Sequence, residues 1–432
     1  MENIISLIKT IPNKIEQITE TTTKTVASST TVDPSTKDFA SLHEALRWAE
    51  KVRTIGAALV ILQLDEGVHV LGGEGEFDDW NWNYYKLSDI DITIVGDTDT
   101  WDETDLRDNY IITIDSYDDG DSWGDIIDIY GVCTLRLKGL VFDATYNGYP
   151  YTNLFPFNSW EKGGEIVIDS VDIKNTYYSV SIMLGYLSLR KVNLSNNYIG
   201  LNFTGIRAYM VETTFTNIQY GILSAFSEME YLDLVFTDCK VGYQVLRQSR
   251  VYGKNITATD FKANGYVMDV RYQSICMHTG YVNASSTLPF AHAIHADENS
   301  KLFFDNAGGD AINITGATVG ITSDSSYIGM EFNIPITMTN VDNAFQVHND
   351  GQMYLRQVVP TFINVTTEYN VPLNTQMKTG MIRTENVDHM TSLYDNTISG
   401  LNATTEKGAI DELAQSVGDI ATALDAINGE VV

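Results

Sequence analysis

Apolar and polar positions recur with a period of 21 residues in the middle of the chain. The segments VDIKNTYYSV, VNLSNNYIGL, TTFTNIQYGI and LVFTDCKVGY align on a central Asn or Asp. Two residues before it stands a large apolar residue, and four residues after it stands Ser or Gly. The aligned positions are Ile173, Leu194, Phe215 and Phe236 for the apolar residue and Asn175, Asn196, Asn217 and Asp238 for the central one.

Each repeat is predicted to be a short strand, a turn and a second strand. Alternation with period two is typical of strands, and Asn and Gly tolerate turn dihedrals that bulky residues avoid. Repeats of this length fit one coil of a parallel β-solenoid, in which each coil covers its apolar side by stacking on the next. The Leu-rich pattern of a leucine-rich repeat is missing, and a propeller blade needs about twice this period. We therefore expect the aligned residues to stack as an apolar ladder and a turn ladder.

The repeats are preceded by a segment that differs from them in periodicity. Residues 38–50, DFASLHEALRWAE, place Phe39, Leu42, Ala45, Leu46 and Ala49 on one helical face. Strand-like segments, ALVILQLDEGVHVL and DITIVGD, follow the helix. A short amphipathic helix before the first coil is predicted to cap the open end of a solenoid.

This order of elements resembles the right-handed parallel β-helix of phage tail fibres and tailspikes, within the broader pectin-lyase-like class. The resemblance covers roughly residues 37–370 and rests on DFASLHEALRWAE, LVILQLDEGVHVL, ITIVGD and the Asn/Gly coils. It implies an all-β solenoid that forms part of a virion appendage made in the bacterial host cytoplasm. Pectate lyases of this class use calcium-binding Asp residues and a basic residue, and no set of residues here matches them.

The chain ends in a segment of heptad periodicity. Ile410, Leu413, Val417, Ile420, Leu424 and Ile427 are spaced alternately by three and four residues. β-Branched residues at both seam positions favour three strands, so we expect a homotrimeric coiled coil. A lone amphipathic surface helix is the alternative.

A second set of regularly spaced isoleucines lies near the N-terminus, at Ile4, Ile8, Ile11, Ile15 and Ile18, and Pro12 should break or kink that helix. The Thr-rich run from Thr21 to Thr36 is predicted to be an extended linker. The expected domains are a helical anchor and linker (1–36), a capping helix (37–56), the parallel β-helix (57–400) and the trimeric coiled coil (401–432).

Charge and composition exclude several classes of protein. The chain has 27 basic and 57 acidic residues, a formal net charge of −30, and its basic residues are scattered. Such a surface repels nucleic acid. Apolar runs fall short of the roughly 20 residues that a membrane span needs. The three cysteines, Cys133, Cys239 and Cys276, show neither zinc-site nor disulfide-framework spacing. We expect no cofactor, no nucleic-acid partner and no membrane insertion.

Two aromatic-rich segments are candidate glycan- or receptor-binding sites. FDDWNWNYYKL and YNGYPYTNLFPFNSW supply Trp80, Trp82, Tyr84, Tyr149, Tyr151 and Trp160. Exposed aromatic rings stack on sugars and contribute strongly to protein contacts. Alternatively, the same rings pack over the first coils or seal a subunit interface.

Other candidate sites are weaker. The segment DSYDDGDSWGD offers Asp115, Asp119 and Asp121 as a weak cation-binding cluster, but it departs from the calcium-loop pattern and a surface turn explains it as well. His292 and His295 are predicted to face opposite sides of a strand, which would prevent joint chelation. No catalytic residue is identified.

The sequence favours a homotrimeric tail fibre or tailspike-like protein that attaches a phage to its host surface. The N-terminal segment would bind other virion proteins, and exposed aromatic residues would contact host glycan. Two alternatives stay open. One is a head fibre or connector protein, and the other is a capsule- or lipopolysaccharide-degrading depolymerase that uses paired carboxylates.

Overall fold

The protein is a parallel β-solenoid in this computed structural model. The structure describes residues 16–71, 83–97, 107–114, 124–146, 149–150, 154–161, 164–305, 310–331, 334–356, 358–371, 380–384, 388–390, 412–413, 415–417 and 419. Within them, all strand pairings are parallel except two short antiparallel ones, Thr145–Tyr146 with Tyr149–Pro150 and Met381–Thr384 with Asp388–Met390. The fold class predicted from the 21-residue period is confirmed.

The described residues of the N-terminal part form one α-helix and strands β1 to β13. Helix α1 spans Leu42–Ala49, and 3-10 turns span Pro34–Thr36 and Arg107–Asn109. The strands are β1 Glu16–Ile18, β2 Thr22–Val26, β3 Val52–Thr54, β4 Val60–Leu64, β5 Gly67–Leu71, β6 Asn83–Ser88, β7 Asp91–Val95, β8 Tyr110–Ile114, β9 Gly124–Tyr130, β10 Thr134–Asp143, β11 Thr145–Tyr146, β12 Tyr149–Pro150 and β13 Leu154–Glu161.

The central and C-terminal parts contain strands β14 to β35. The central strands are β14 Glu165–Lys174, β15 Tyr178–Met183, β16 Tyr186–Arg190, β17 Asn193–Ser195, β18 Ile199–Thr204, β19 Arg207–Thr216, β20 Tyr220–Ala225, β21 Glu228–Thr237, β22 Val241–Leu246, β23 Arg250–Thr259, β24 Tyr266–Val270 and β25 Ile275–Ala296. They are followed by β26 Lys301–Asp305, β27 Ile312–Asp324, β28 Tyr327–Glu331, β29 Pro335–Thr339, β30 Asn343–His348, β31 Gln352–Leu355, β32 Val359–Ile363, β33 Thr367–Asn370, β34 Met381–Thr384 and β35 Asp388–Met390.

A single core extends along the stacked coils. Residues that pair from coil to coil form one inward column: Val60, Ile92, Leu135, Ile166, Leu187, Ala208, Met229, Val251, Cys276, Leu302, Ile328, Met353 and Ile382. All of them are buried. A coil taken alone would expose its apolar side chains to water on its upper and lower sides. The coils stacked above and below cover them.

The predicted apolar ladder is present. Ile173 pairs with Leu194, Leu194 with Phe215, and Phe215 with Phe236. All four are 0% exposed, and the rings of Phe215 and Phe236 stack with centroids 4.8 Å apart.

The turn ladder is present as well, and its backbone explains the choice of residue. Asn175, Asn196, Asn217 and Asp238 have φ between 52° and 64°, a left-handed conformation that Asn and Asp adopt more readily than bulky residues. Each backbone N–H donates to a carbonyl of the next coil, as from Asn196 to Thr216 at 3.0 Å. The Asn217 side-chain amide also donates to Oδ1 of Asn196 at 3.0 Å.

A bend follows each turn, at the Ser or Gly of the repeat. There the pairing skips one residue, so that Tyr220 pairs with Val241 and Ile222 with Tyr243. A Cβ on Gly221 would lie 2.4 Å from the carbonyl oxygen of Gly242 and 2.8 Å from the Phe236 ring. Only a small residue lets the coils approach this closely, and the bend interrupts the alternation of inward and outward side chains.

Helix α1 has the predicted apolar face. Ser41 caps it by accepting from the Glu44 N–H at 3.1 Å, while Glu44 Oε2 accepts from the Ala40 N–H at 2.9 Å. This reciprocal pair fixes the start of the helix. Leu42, Ala45, Leu46 and Ala49 are buried and join the core.

The N-terminal prediction is wrong where the structure describes it. Thr22–Val26, expected to belong to a linker, pairs in parallel with β4, and Val26 is 0% exposed. Ile18, expected in a helical seam, lies in β1 and pairs with Thr54 of β3. Alternation of Thr with Lys and Val over this run favours a strand. Strand β4 of the adjacent coil provides the edge with which it pairs. Ile4, Ile8, Ile11 and Ile15 lie outside the described residues.

The C-terminal coiled coil stays a prediction. Residues 412, 413, 415–417 and 419 are helical, and Leu413 and Val417 are 51% and 65% exposed. Ile410, Ile420, Leu424 and Ile427 lie outside the described residues. The boundaries proposed at residues 56 and 400, and the trimer itself, also stay predictions.

Candidate functional site

The predicted aromatic and acidic sites fall largely outside the described part of the chain. Tyr84, Tyr149 and Trp160 lie in strands β6, β12 and β13, but their side chains are outside the description. Trp80, Trp82, Tyr151, Asp115, Asp119 and Asp121 are outside it altogether. These candidates therefore stay predictions.

A different set of polar side chains meets on the outer face of the central coils. Gln244, Asp269, His295 and Thr322 occupy one column, because each pairs with the next from coil to coil. Tyr266 and His292 pair in the neighbouring column, and Arg271 follows the end of β24. We call these seven residues, Gln244, Tyr266, Asp269, Arg271, His292, His295 and Thr322, the Asp269 cluster.

Asp269 is the centre of this cluster, and its carboxylate is 0% exposed. Nδ1 of His295 donates to Oδ1 at 2.8 Å. Nε of Arg271 donates to Oδ1 and Oδ2 at 2.8 and 2.9 Å, and Nε2 of Gln244 donates to Oδ2 at 2.7 Å. Three side chains on three coils thus satisfy both oxygens, which is how a buried carboxylate is tolerated.

Opposing influences set the pKa of Asp269. Burial, the largest, acts to raise it, but the hydrogen bonds from His295 and Arg271 and the positive charge of Arg271 act against burial. The net result is a pKa below the ordinary value for Asp. Asp269 is therefore ionised at neutral pH, and an ionised carboxylate only accepts hydrogen bonds.

This hydrogen bond fixes the protonation pattern of His295. Because Asp269 accepts, Nδ1 of His295 carries a proton, and Nε2 is the ring nitrogen left to accept one. Within the described residues no protein group is hydrogen-bonded to this Nε2. The His295 side chain is 10% exposed, so the ring reaches the surface.

The expectation that His292 and His295 face opposite sides is wrong. Their ring centroids lie 5.2 Å apart. Between them stands buried Ala293 at the bend position, where the pairing skips from Tyr266–His292 to Met268–Ile294. Because the bend interrupts the alternation of inward and outward side chains, both histidine side chains lie on the outer face.

His292 is held differently from His295. Its ring stacks on Tyr266 with centroids 5.2 Å apart, and its Nδ1 lies 2.7 Å from the Thr322 hydroxyl. Burial, followed by repulsion from His295, lowers the pKa of His292 to about 4. The ring is thus uncharged at neutral pH.

An open groove lies at the turns that follow β20, β22, β24 and β25. It has a volume of about 470 Å³ and is lined by Phe226, Arg247, Gln248, Tyr272, Gln273, Glu298 and Asn299. We call it the turn groove. Phe226 and Tyr272 are 53% and 46% exposed. Aromatic faces beside amide and charged groups are the chemistry that recognises sugars.

The turn groove and the Asp269 cluster are neighbours along the chain. Tyr272 of the groove follows Arg271 of the cluster, and Glu298 lies three residues after His295. Burial and then the negative charge of Asp297 raise the pKa of Glu298, while the charge of Arg271 opposes this. Glu298 of the groove is therefore close enough to the cluster for the charges of Arg271 and Asp269 to act on it.

The described residues contain no group of three or more His, Cys, Asp or Glu side chains arranged to hold a metal ion. They also contain no helix with the length and apolarity to cross a membrane. Cys133, Cys239 and Cys276 are buried thiols.

Comparisons with known proteins are sparse. No family model matches the chain, and no curated protein is similar to it in sequence. The A-module of mannuronan C-5 epimerase AlgE6 from Azotobacter vinelandii is 13% identical, with a TM-score of 0.30, over 73% of this chain and 88% of that one. The AlgE4 A-module from the same organism is 14% identical, with a TM-score of 0.24, over 75% and 91%. ORF18 of Geobacillus virus E2 is 12% identical, with a TM-score of 0.22, over 89% of this chain and 63% of that one. Similarity this low assigns no function.

Proposed function

We propose that this protein is the subunit of a trimeric virion appendage, a tail fibre or tailspike-like protein of a tailed phage, that attaches to glycan on the host surface. The observation that carries the proposal is the turn groove, in which exposed Phe226 and Tyr272 stand among amide and charged side chains. Sugars present apolar faces to aromatic rings and hydroxyls to amides, so this lining suits a glycan.

The spacing of the groove-lining residues along the solenoid suits an extended ligand. Phe226, Arg247, Tyr272 and Glu298 come from successive coils, because β20, β22, β24 and β25 pair in that order. Neighbouring strands lie ~4.8 Å apart, so the two aromatic rings are about two strand spacings apart. Successive sugar units of one chain could therefore contact successive coils.

The solenoid and its terminal helix fit the mechanical role. Long runs of mutually paired strands unfold slowly, which suits a particle that survives outside the cell. Leu413 and Val417, one turn apart and both exposed, are expected to pack against two further copies of the chain. The N-terminal segment would then join the appendage to the virion.

Glycan binding is tested with the purified full chain on an array of bacterial surface glycans. We expect the parent protein to bind, and Phe226→Ala with Tyr272→Ala to lower affinity at least tenfold, since each lost ring contact is worth ~1 kcal/mol or more. Tyr198→Ala is the matched control, because Tyr198 is 43% exposed but lies outside the groove. If the parent binds no glycan, the attachment proposal is wrong.

A second set of variants separates the groove from the aromatic segments predicted first. Trp80→Ala, Trp82→Ala and Trp160→Ala should leave binding intact if the groove is the site, and should abolish it if those segments are. For the trimer, Leu413→Asp with Val417→Asp should shift sedimentation from trimer to monomer. An unchanged trimer would contradict the coiled coil.

A further inference from the structure

Attachment to glycan does not require the arrangement around His295. A binding surface needs exposed hydrogen-bonding groups and aromatic faces, which the turn groove supplies. The Asp269 cluster instead buries a carboxylate completely behind an imidazole and leaves the far nitrogen of that ring without a protein partner among the described residues. A carboxylate that orients a histidine in this way is the arrangement that makes imidazole a general base.

The neighbours of His295 add the other groups that such a reaction needs. The Tyr266 ring lies 5.5 Å from the His295 ring, centroid to centroid, and the Arg271 guanidinium lies 5.8 Å from the Tyr266 ring. Phenol and guanidinium both donate hydrogen bonds to a developing oxyanion. Base and oxyanion donors therefore belong to one cluster of side chains.

The burial of Asp269 and the charge of the chain limit the class of reaction that the cluster can catalyse. Glycoside hydrolysis by paired carboxylates needs two carboxyl groups that reach the substrate, and Asp269 is 0% exposed with both oxygens occupied. An acidic glycan is disfavoured as well, because the chain carries a net charge of −30. A neutral glycan that bears a hydrolysable ester satisfies both restrictions.

We propose that His295, oriented by Asp269, is the general base of an esterase site that removes O-acyl groups, such as acetyl, from a neutral glycan held in the turn groove. Water supplies the nucleophile. Nε2 of His295 takes a proton from water as the water oxygen attacks the acyl carbon, and Arg271 and Tyr266 stabilise the resulting oxyanion. The bond between the acyl carbon and the sugar oxygen then breaks. The sugar oxygen receives the proton back from His295, so that the products are a carboxylic acid and a free sugar hydroxyl.

The glycan part of this inference rests on the proposed function, whereas the esterase chemistry does not. The experiment therefore uses two substrates with the full-length protein. 4-Nitrophenyl acetate is a small ester that needs no groove, and O-acetylated xylan is a neutral acetylated glycan. Release of nitrophenolate and of acetate is measured for each.

We expect the parent protein to hydrolyse both substrates, and His295→Gln to lower both rates about 100-fold or more, the usual contribution of a general base. Asp269 is a positioning residue, and Asp269→Asn should lower both rates by misorienting the ring. Added imidazole should restore activity to His295→Gly, which a purely structural role would not allow. His348→Gln is the matched control and should keep the parent rate.

The outcomes separate the two proposals. Hydrolysis of the small ester without release of acetate from O-acetylated xylan supports the esterase site and contradicts the assignment of an acetylated neutral glycan as its substrate. The inference is overturned if the parent hydrolyses neither substrate, or if His295→Gln retains the parent rate. Unsaturated sugar products from an acidic glycan would also overturn it, because they require elimination instead of ester hydrolysis.

Discussion

The central coils carry one polar cluster inside the solenoid and another on its outer face. Inside, Tyr231, Tyr243, Cys276 and His278 form what we call the inner cluster, and all are buried. The Tyr231 hydroxyl lies 2.9 Å from His278 Nδ1, and His278 Nε2 lies 3.3 Å from the Tyr281 carbonyl oxygen. Since a carbonyl only accepts, Nε2 donates to it and Nδ1 accepts from Tyr231. Both nitrogens of His278 are thus satisfied, unlike those of His295.

This difference shows which property marks a reactive histidine. Burial lowers the pKa of His278 to about 4 in the inner cluster, and burial with repulsion from His295 lowers that of His292 to about 4 in the outer one. A shifted pKa is therefore common to both clusters and does not tell structure from function. Among the described residues of these two clusters, only His295 has one ring nitrogen hydrogen-bonded to an ionised carboxylate and the other without a protein partner, on a ring that reaches the surface.

The largest expected effect comes from truncating the same side chain in each cluster. Tyr231→Ala should lower the free energy of unfolding by ~3–5 kcal/mol, since it opens a cavity and removes the partner of His278. Tyr266→Ala, on the half-buried outer face, should lower the free energy of unfolding by only ~1 kcal/mol. Urea unfolding of both variants measures the contrast. Equal losses would show that the outer cluster is as structural as the inner one.

The next effect is a dependence of stability on pH. His278 has an ordinary pKa of 6.5 when unfolded and about 4 when folded. Between these values the unfolded chain binds the proton and the folded chain does not, so stability is full above pH 6.5 and falls as the pH drops to 4. The expected loss is about 3 kcal/mol.

Substitutions of His278 and His292 show how much each contributes to the pH dependence of stability. His278→Gln should remove this part of the pH dependence when unfolding is measured at pH 7 and pH 4. His292→Gln should remove a similar part, because the pKa of His292 is also lowered to about 4. A pH dependence unchanged in His278→Gln would mean that the buried ring is not the group responsible.

Local pattern predicted the fold well. The spacing of Phe215 and Phe236 identified the inward column, and Asn196 and Asn217 identified the turn, because these positions depend on residues within one repeat. Where the repeats are longer than 21 residues, the repeat pattern no longer predicts which residues meet. Asp269 and His295 are 26 residues apart and pair across coils, but nothing local connects them.

The outer cluster was missed for a further physical reason. Strict alternation assigns His292 and His295 to opposite faces, and only the bend at Ala293 brings them together. The regular coils contain that bend at Gly200, Gly221 and Gly242, so the information was present in the sequence. Aligning Ala293 with those glycines would have placed both histidines on the outer face.

Replacing His295 should have a small effect on stability but separates the two clusters most sharply. His295→Gln removes one hydrogen bond to Asp269 but leaves those from Arg271 and Gln244. The loss should be ~1–2 kcal/mol at pH 7, below that for Tyr231→Ala. The rate of ester hydrolysis should nevertheless fall about 100-fold or more, whereas His278→Gln should keep the parent rate. If His295→Gln instead destabilised the fold as strongly as Tyr231→Ala, the imidazole would be a support for the buried carboxylate, and its open nitrogen would have no chemical role.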